Sequence, residues 1–188
     1  MTTPTPPATL ADALGAVVGF FERAKVPYFL LGGIALGALG EPRFTLDVDL
    51  DIHIPKTAAK KLLVQAQRAG FRIAKSALQD VTEFGVFRMW WNDVQIDCIL
   101  ASTPLEQSAF KRRTRVKVLE TTVWLPSVED LLLLKIISGR DKDLVDARTL
   151  VERHTAHLDK KYLEQWAQHL CDEAEDYRIM HTLRAVLK

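Results

Sequence analysis

Residues 45–54 read TLDVDLDIHI, three aspartates alternating with apolar residues. In a strand, alternate side chains share a face. Asp47, Asp49, Asp51 and His53 then point one way, and Val48, Leu50, Ile52 and Ile54 the other. Neighbouring carboxylates on that face stand about 7 Å apart at Cβ. They repel, and one in a half-buried site is pushed toward protonation. Two readings fit: a solvated edge face, or a face that carries a cation. Aspartate is depleted from strands, so three in alternation run against propensity. A hard cation such as Mg²⁺ takes one or two carboxylates and completes its shell with water and phosphate oxygens. Two such ions about 3.5–4 Å apart hold the attacking and leaving oxygens of a phosphoryl displacement. Asp51 lies about 7 Å beyond Asp49 along the strand and reads as solvated. His53 reads as structural or exposed.

The flanking sequence supplies a mixed α/β frame. Thr9 and Asp12 form a capping box for a helix to Lys25, with Leu10, Leu14, Val17, Val18 and Phe21 at helical spacing. YFLLGG reads as a buried strand entering a tight turn, and IALGALG as a short helix. Residues 57–70 form a second amphipathic helix. FRIAKS, GVFRMWW and VQIDCIL read as strands, the last two joined as a hairpin through Asn92 and Asp93. RVKVLETTVWL adds one or two more. After Pro126 only helices follow, opening at the Ser127/Asp130 capping box and continuing over about 141–154, 159–171 and 173–186. The expectation is an α/β (α+β) fold: a small mixed sheet flanked by helices, with a helical C-terminal part. Residues 1–8 form a flexible leader, 9–126 the core, and 127–188 a helical region packed on it.

Composition narrows the function classes. Hydrophobic residues make up 48% of 188, enough for a real core. A net charge of +1 gives no general attraction to nucleic acid, so such binding needs a local patch. The candidate patch is Lys111, Arg112, Arg113, Arg115 and Lys117, which either guides an RNA backbone or protects an edge strand from pairing. Of the adjacent Trp90 and Trp91, the one facing away from the core could stack on a base. Cys98 and Cys171 read as free thiols, and no secretory signal or membrane span is evident, so a cytoplasmic setting is expected.

The glycines upstream decide between the readings of the aspartate strand. Gly32 and Gly33 end one strand, a short helix follows, and after thirteen intervening residues the pair Asp47 and Asp49 begins. A glycine at a helix start offers free N–H groups and room for a phosphate against the main chain. A phosphate cradle beside a metal-binding carboxylate pair suits phosphoryl transfer, which is mainly positioning and charge neutralisation.

This arrangement resembles the DNA polymerase beta-like nucleotidyltransferase superfamily. The superfamily's third acid lies on a later strand, where this sequence has Asp97. The segments LLGGIALGALGEPRFTLDVDL and KIISGRDKDLVDARTL look like the AbiEii-type nucleotidyltransferase toxins of bacterial toxin–antitoxin systems. Their Arg-x-Thr-x-Asp-x-Asp falls on Arg43, Thr45, Asp47 and Asp49. Their later lysine, basic residue and Asp-x-x-Asp fall on Lys135, Arg140, Lys142, Asp143 and Asp146. The match spans residues 28–150 and departs at Gly33, where many relatives have serine.

The resemblance implies transfer of a nucleoside monophosphate from an NTP to a hydroxyl on tRNA or protein, with a cognate antitoxin. Asp47, Asp49 and Asp97 would hold two Mg²⁺ ions, with Mn²⁺ an alternative. Asp97 would also help deprotonate the acceptor. Gly32, Gly33, Arg43, Thr45, Lys135, Arg140 and Asp143 would serve the nucleotide. Lys135 either reaches the triphosphate or pairs with Asp143, and Arg43 either touches the nucleotide or pairs with Glu41 or Asp51. Two rivals share the fold: an enzyme modifying a small antibiotic, and a binding module without catalysis.

Overall fold

A computed structural model describes residues 9–188; the expected leader, 1–8, lies outside them. Five strands form a mixed sheet in the order β1 (Tyr28–Leu30), β2 (Asp47–Ile52), β5 (Val94–Leu100), β4 (Val86–Trp91) and β3 (Arg72–Ile73). Only β2 and β5 run parallel, and they pair Asp49 with Asp97 and Asp51 with Ile99. The aspartate strand is therefore central, not an edge, and it ends at Ile52, one residue short of His53. The β4–β5 hairpin turns through Asn92 and Asp93, as the sequence predicts, with Asn92 at φ 51°.

The two faces of the sheet differ. Val48, Leu50 and Ile52 join Ile96, Cys98, Leu100, Phe87 and Met89 in the main core. Helix α1 (Leu10–Ala24) packs there behind the expected Thr9/Asp12 capping box, burying Leu14, Val17, Val18 and Phe21. The opposite face carries the aspartates and a small cluster of Phe29, Ala109 and Phe110, with Leu31, Ala101 and Leu134 against it. Helix α5 (Pro104–Arg112) supplies Ala109 and Phe110, and α6 (Val128–Ser138) supplies Leu134. The main buried cluster also takes Leu131, Leu132, Leu133 and Ile136 from α6 and Leu150 from α7 (Asp141–His154), so apolar packing is continuous across Pro126.

Two helices escape the sequence reading. Helix α5 is capped by Thr103 and Glu106 with Pro104 in its first turn, and α4 (Ala77–Phe84) fills what reads as a loop. The second helical stretch is α3 (Ala59–Arg68), preceded by a 3-10 turn at Lys56–Ala58. The last helices, α8 (Lys160–Ala174) and α9 (Arg178–Val186), are shifted by a few residues from expectation. RVKVLETTVWL becomes a separate two-stranded sheet, β6 (Thr114–Val118) and β7 (Thr121–Leu125). Helix α2 (Gly32–Leu39) follows β1 directly and hands the chain to the loop before β2.

Candidate active site

The central parallel pair sets the geometry. Asp47, Asp49 and Asp97 each bring a carboxylate oxygen to within 4.8 Å of the others. Desolvation, then repulsion from Asp47 and Asp97, pushes the Asp49 carboxyl up to about 6, with Lys135 and Lys142 acting weakly the other way. Three acids brought together with too little compensating charge are what a divalent cation relieves. The donor set fits Mg²⁺ or Mn²⁺, since it is all oxygen and partly open to solvent.

The neighbours of the acids fix their orientation. Thr45 Oγ1 donates to Asp47 Oδ1 at 2.5 Å. Arg88 Nε donates to Asp97 Oδ1 at 2.7 Å, and Gln95 Nε2 to Asp97 Oδ2 at 2.8 Å. Gly32 has φ 59°, and a Cβ there would stand 1.7 Å from Asp49 Oδ2. Its bare backbone makes room for the carboxylate of Asp49. At Gly33 a Cβ would stand 2.6 Å from the Cβ of Thr45, so this glycine lets the loop carrying Thr45 close on α2. Gly32 lines the cavity over the acids, whereas Gly33 and Thr45 line an apolar groove behind it.

That cavity measures about 370 Å³. Across from the acids it is lined by Arg43, Lys135, Ser138, Arg140, Lys142 and Asp143. Lys135 is buried in α6, and its Nζ donates to Asp143 Oδ1 at 2.5 Å and Asp146 Oδ2 at 2.7 Å. Of the two roles open to Lys135, pairing is the one present. Burial raises the Asp143 carboxyl, but hydrogen bonds from Lys135, Ser138 and Arg140 outweigh it and hold the group at about 2. Arg140 Nε reaches Asp143 Oδ2 at 2.6 Å, and Arg43 Nε lies 3.5 Å from Asp146 Oδ1. Arg43 thus pairs with neither Glu41 nor Asp51; Glu41 pairs with Arg153. The guanidinium of Arg140 and the side chain of Lys142 remain exposed at the rim.

Asp51 departs most from expectation. It is 1% exposed, neither carboxylate oxygen has a hydrogen-bond partner, and it lines the cavity. Desolvation, then repulsion from Glu106, pushes it up to about 8. It reads as solvated only while α5 is missing from the prediction, because α5 brings Glu106 and the Phe110 cluster over that end of β2.

Of the basic run, Lys111 is exposed and makes no ion pair among the described residues, and the rest have partners, some of them at the surface. Arg112 binds Glu129 and Asp130, Arg115 binds Glu22, and Lys117 binds Glu120. Arg113 lies against Phe110 and Trp124. Trp91 packs on Phe71, and Arg72 covers Trp90 at 4.2 Å. His53 is exposed, with its ring 5.4 Å from that of Phe110. Cys98 and Cys171 are free and buried. Among the described residues no helix is long and apolar enough to cross a membrane.

No protein-family model matches the sequence, and neither does any curated protein. Solved structures do match. The antibiotic-resistance factor ANT(2'')-Ia aligns over 88% of this chain and 94% of its own, with TM-score 0.60 and 15% identity. The lincosamide antibiotic adenylyltransferase LnuA, in its lincomycin-bound form, aligns over 73% and 93%, with TM-score 0.51 and 17% identity. An antigenic nucleotidyltransferase-like protein from Paracoccidioides brasiliensis aligns over 93% and 90%, with TM-score 0.51 and 19% identity. At such identities the likeness is one of fold: this chain has the nucleotidyltransferase fold.

Proposed function

We propose that this chain is a metal-dependent nucleotidyltransferase that moves a nucleoside monophosphate from an NTP to an acceptor hydroxyl and releases pyrophosphate. The observation that carries the reading is the cluster of Asp47, Asp49 and Asp97, drawn to within 4.8 Å across parallel strands on a nucleotidyltransferase fold. These three residues would hold the divalent cations, which when bound supply charge neutralisation at the phosphoryl oxygens. The remaining work falls to the protein. Arg140 and Lys142 at the rim, with Arg43 beside them, supply counter-charge for the triphosphate. Gly32, by lacking a side chain, leaves the Asp49 carboxylate room against the turn. Arg88 and Gln95 fix Asp97 so that it faces the acceptor hydroxyl and takes its proton. The acceptor oxygen bonds to the α-phosphorus as the bond to the bridging oxygen breaks, and pyrophosphate leaves.

The acceptor divides two versions of this reading. Sequence resemblance to toxins argues for tRNA or protein, with a cognate antitoxin as partner. A small-molecule acceptor draws support from the cavity, which is acidic at its inner end, and from Arg112 of the basic run being held by Glu129 and Asp130. Two of the antibiotic-related structures above share the fold. The test is transfer from each of four α-³²P-labelled NTPs with Mg²⁺, offering tRNA, cell protein, tobramycin and lincomycin in parallel with an Asp49→Ala control. Label on any acceptor that is lost in the variant supports the transferase and names its acceptor. The absence of both transfer and metal-dependent NTP binding would leave a binding module of the same fold.

A further inference from the structure

The nucleotidyl-transfer reading leaves Asp51 without a task. It sits on the face of β2 that carries Asp47 and Asp49, one pair further along. Its cross-strand partners on that face are Ile99 on β5 and Phe29 on β1, so the surrounding row is apolar. Leu31, Leu131 and Leu134 line the same end of the cavity. The other polar group there is Glu106, whose Oε2 is already taken by the N–H groups of Ser102 and Thr103. Neither oxygen of Asp51 meets a donor, although its side chain is almost wholly removed from solvent.

A buried carboxyl without a partner is expensive, and an apolar residue would fit this row without that penalty. Such costs persist where a ligand completes the group. The ligand must bring a donor, because the protein supplies none. It must also approach past apolar walls into a cavity of about 370 Å³ whose inner end holds two acids. A phosphodiester group brings no donor to that end and is repelled by Glu106, whereas an amine supplies the donor.

We propose that Asp51 anchors an acceptor subsite, binding an amine of a small hydroxylated molecule whose reacting hydroxyl lies over the Asp49–Asp97 row. Strand spacing sets the pattern required of the acceptor: a hydroxyl and an amine about 7 Å apart, with an apolar or ring framework between them. Phosphates gather at the cationic rim of Arg140 and Lys142, and the amine at the opposite, acidic end. Polyamino sugars and related amino-polyols have this chemistry. Asp51 is a binding residue on this account and takes no part in the phosphoryl chemistry.

The proposal rests on the transferase reading, so the experiment separates the two. Tobramycin, rich in amines and hydroxyls, serves as the probe, with the amine-free trehalose and total tRNA as comparators. Wild type, Asp51→Asn and Asp51→Leu are each assayed for Mg²⁺-dependent NTP binding, for nucleotide transfer and for melting temperature. The expected result is tobramycin binding and modification by wild type, with none of trehalose. Asp51→Asn then raises KM for tobramycin about 10- to 100-fold, the loss of a charge-assisted hydrogen bond, while KM for the NTP stays unchanged. Asp51→Leu melts higher than wild type, because the unpaired acid is gone. Intact Mg²⁺–NTP binding with an unaltered KM for tobramycin in Asp51→Asn overturns the subsite alone. So does transfer only to tRNA, failure of wild type to bind tobramycin, or a fall in melting temperature in both variants. Loss of Mg²⁺–NTP binding by wild type overturns the transferase reading itself.

Discussion

Two groups of carboxylates face each other across one cavity, and the protein treats them in opposite ways. Asp143 and Asp146 are buried, yet Lys135, Arg140, Ser138 and Arg43 give them donors and counter-charge. Asp143 is held at about 2. Asp47, Asp49 and Asp97 are less buried; Arg88 meets Asp97 at 2.7 Å, but Asp49 has no ion-pair partner among the described residues and is pushed up to about 6. A carboxylate whose charge is met inside the protein builds structure. One left short of positive charge is available to something from outside. The first cluster therefore braces α6 against α7 and fixes the rim cations, while the second is where the proposed cations would bind.

Mutation should separate the two by reversing which property suffers. Asp49→Asn should lower transfer about 10³-fold or more, because several kcal/mol of charge stabilisation depend on it. The same change should hold or raise the melting temperature, since it removes repulsion from Asp47 and Asp97. Pyrophosphate release and a thermal melt on one sample check both; a large fall in stability would place Asp49 with the structural cluster. Lys135→Met should do the reverse and lose about 3–5 kcal/mol of stability, because two buried carboxylates are left without their ammonium. Urea unfolding measures it, and a loss under about 1 kcal/mol would mean that Arg43 and Arg140 suffice.

Acidity gives a second contrast. The folded Asp143 binds its proton more weakly than the unfolded chain does. Its contribution to stability is complete above about pH 4, the ordinary carboxylate range, and is lost as pH falls toward 2. The folded Asp49 binds its proton more tightly, so without metal stability falls as pH rises from about 4 to 6. Asp51, held up to about 8, adds a similar slope that runs on to about pH 8, so the melts are made in Asp51→Asn, where saturating Mg²⁺ should flatten the upper slope and leave the lower one alone. Melting temperatures from pH 2 to 8, with and without Mg²⁺, read out both limbs; an upper limb indifferent to Mg²⁺ would detach Asp49 from metal binding.

The acidic cluster of Asp47, Asp49 and Asp97 was legible in the sequence and its counterpart only in part, for reasons of distance along the chain. Asp47 and Asp49 announce themselves through a period of two, and Gly32 through its place at the end of a strand. The sequence reading passes over Arg88, although counting back from the two-residue turn at Asn92 and Asp93 sets it opposite Asp97. The partners of Lys135 come from a second helix, and Arg43 reaches Asp146 from a loop before β2. The Lys135–Asp143 pair is one of two readings the sequence leaves open, but no local pattern extends it to Asp146 and Arg43. Asp51 was misjudged because its burial depends on α5, whose Thr103–Glu106 capping box and Pro104 are visible in the sequence. Seeing that helix still does not tell which strand it covers.

The smallest expected effect probes what holds the metal-seeking cluster in place. Thr45 reaches Asp47 through a single hydrogen bond and touches no other acid in the cluster. Thr45→Val keeps the shape that fills the space above Gly33 but removes the donor. One hydrogen bond to a charged group contributes about 1.5–3 kcal/mol at most, and Asp47 can turn to solvent instead. Stability should therefore drop by about 1 kcal/mol or less. Transfer should fall about 10-fold, because Asp47 is free to rotate out of the cluster. Thr45→Ser restores the hydroxyl and should recover most of the rate. If Thr45→Val transfers as fast as wild type at all Mg²⁺ concentrations, the orientation of Asp47 is set by the metal and not by the protein. If the rate recovers only at high Mg²⁺, Thr45 pre-organises the cluster, and the contrast between the two clusters extends to their supports. One is fixed by buried ion pairs that the fold cannot lose. The other is held by a single hydroxyl at Asp47, by Arg88 and Gln95 at Asp97 and by a bare glycine backbone beside Asp49, which has no ion-pair partner among the described residues.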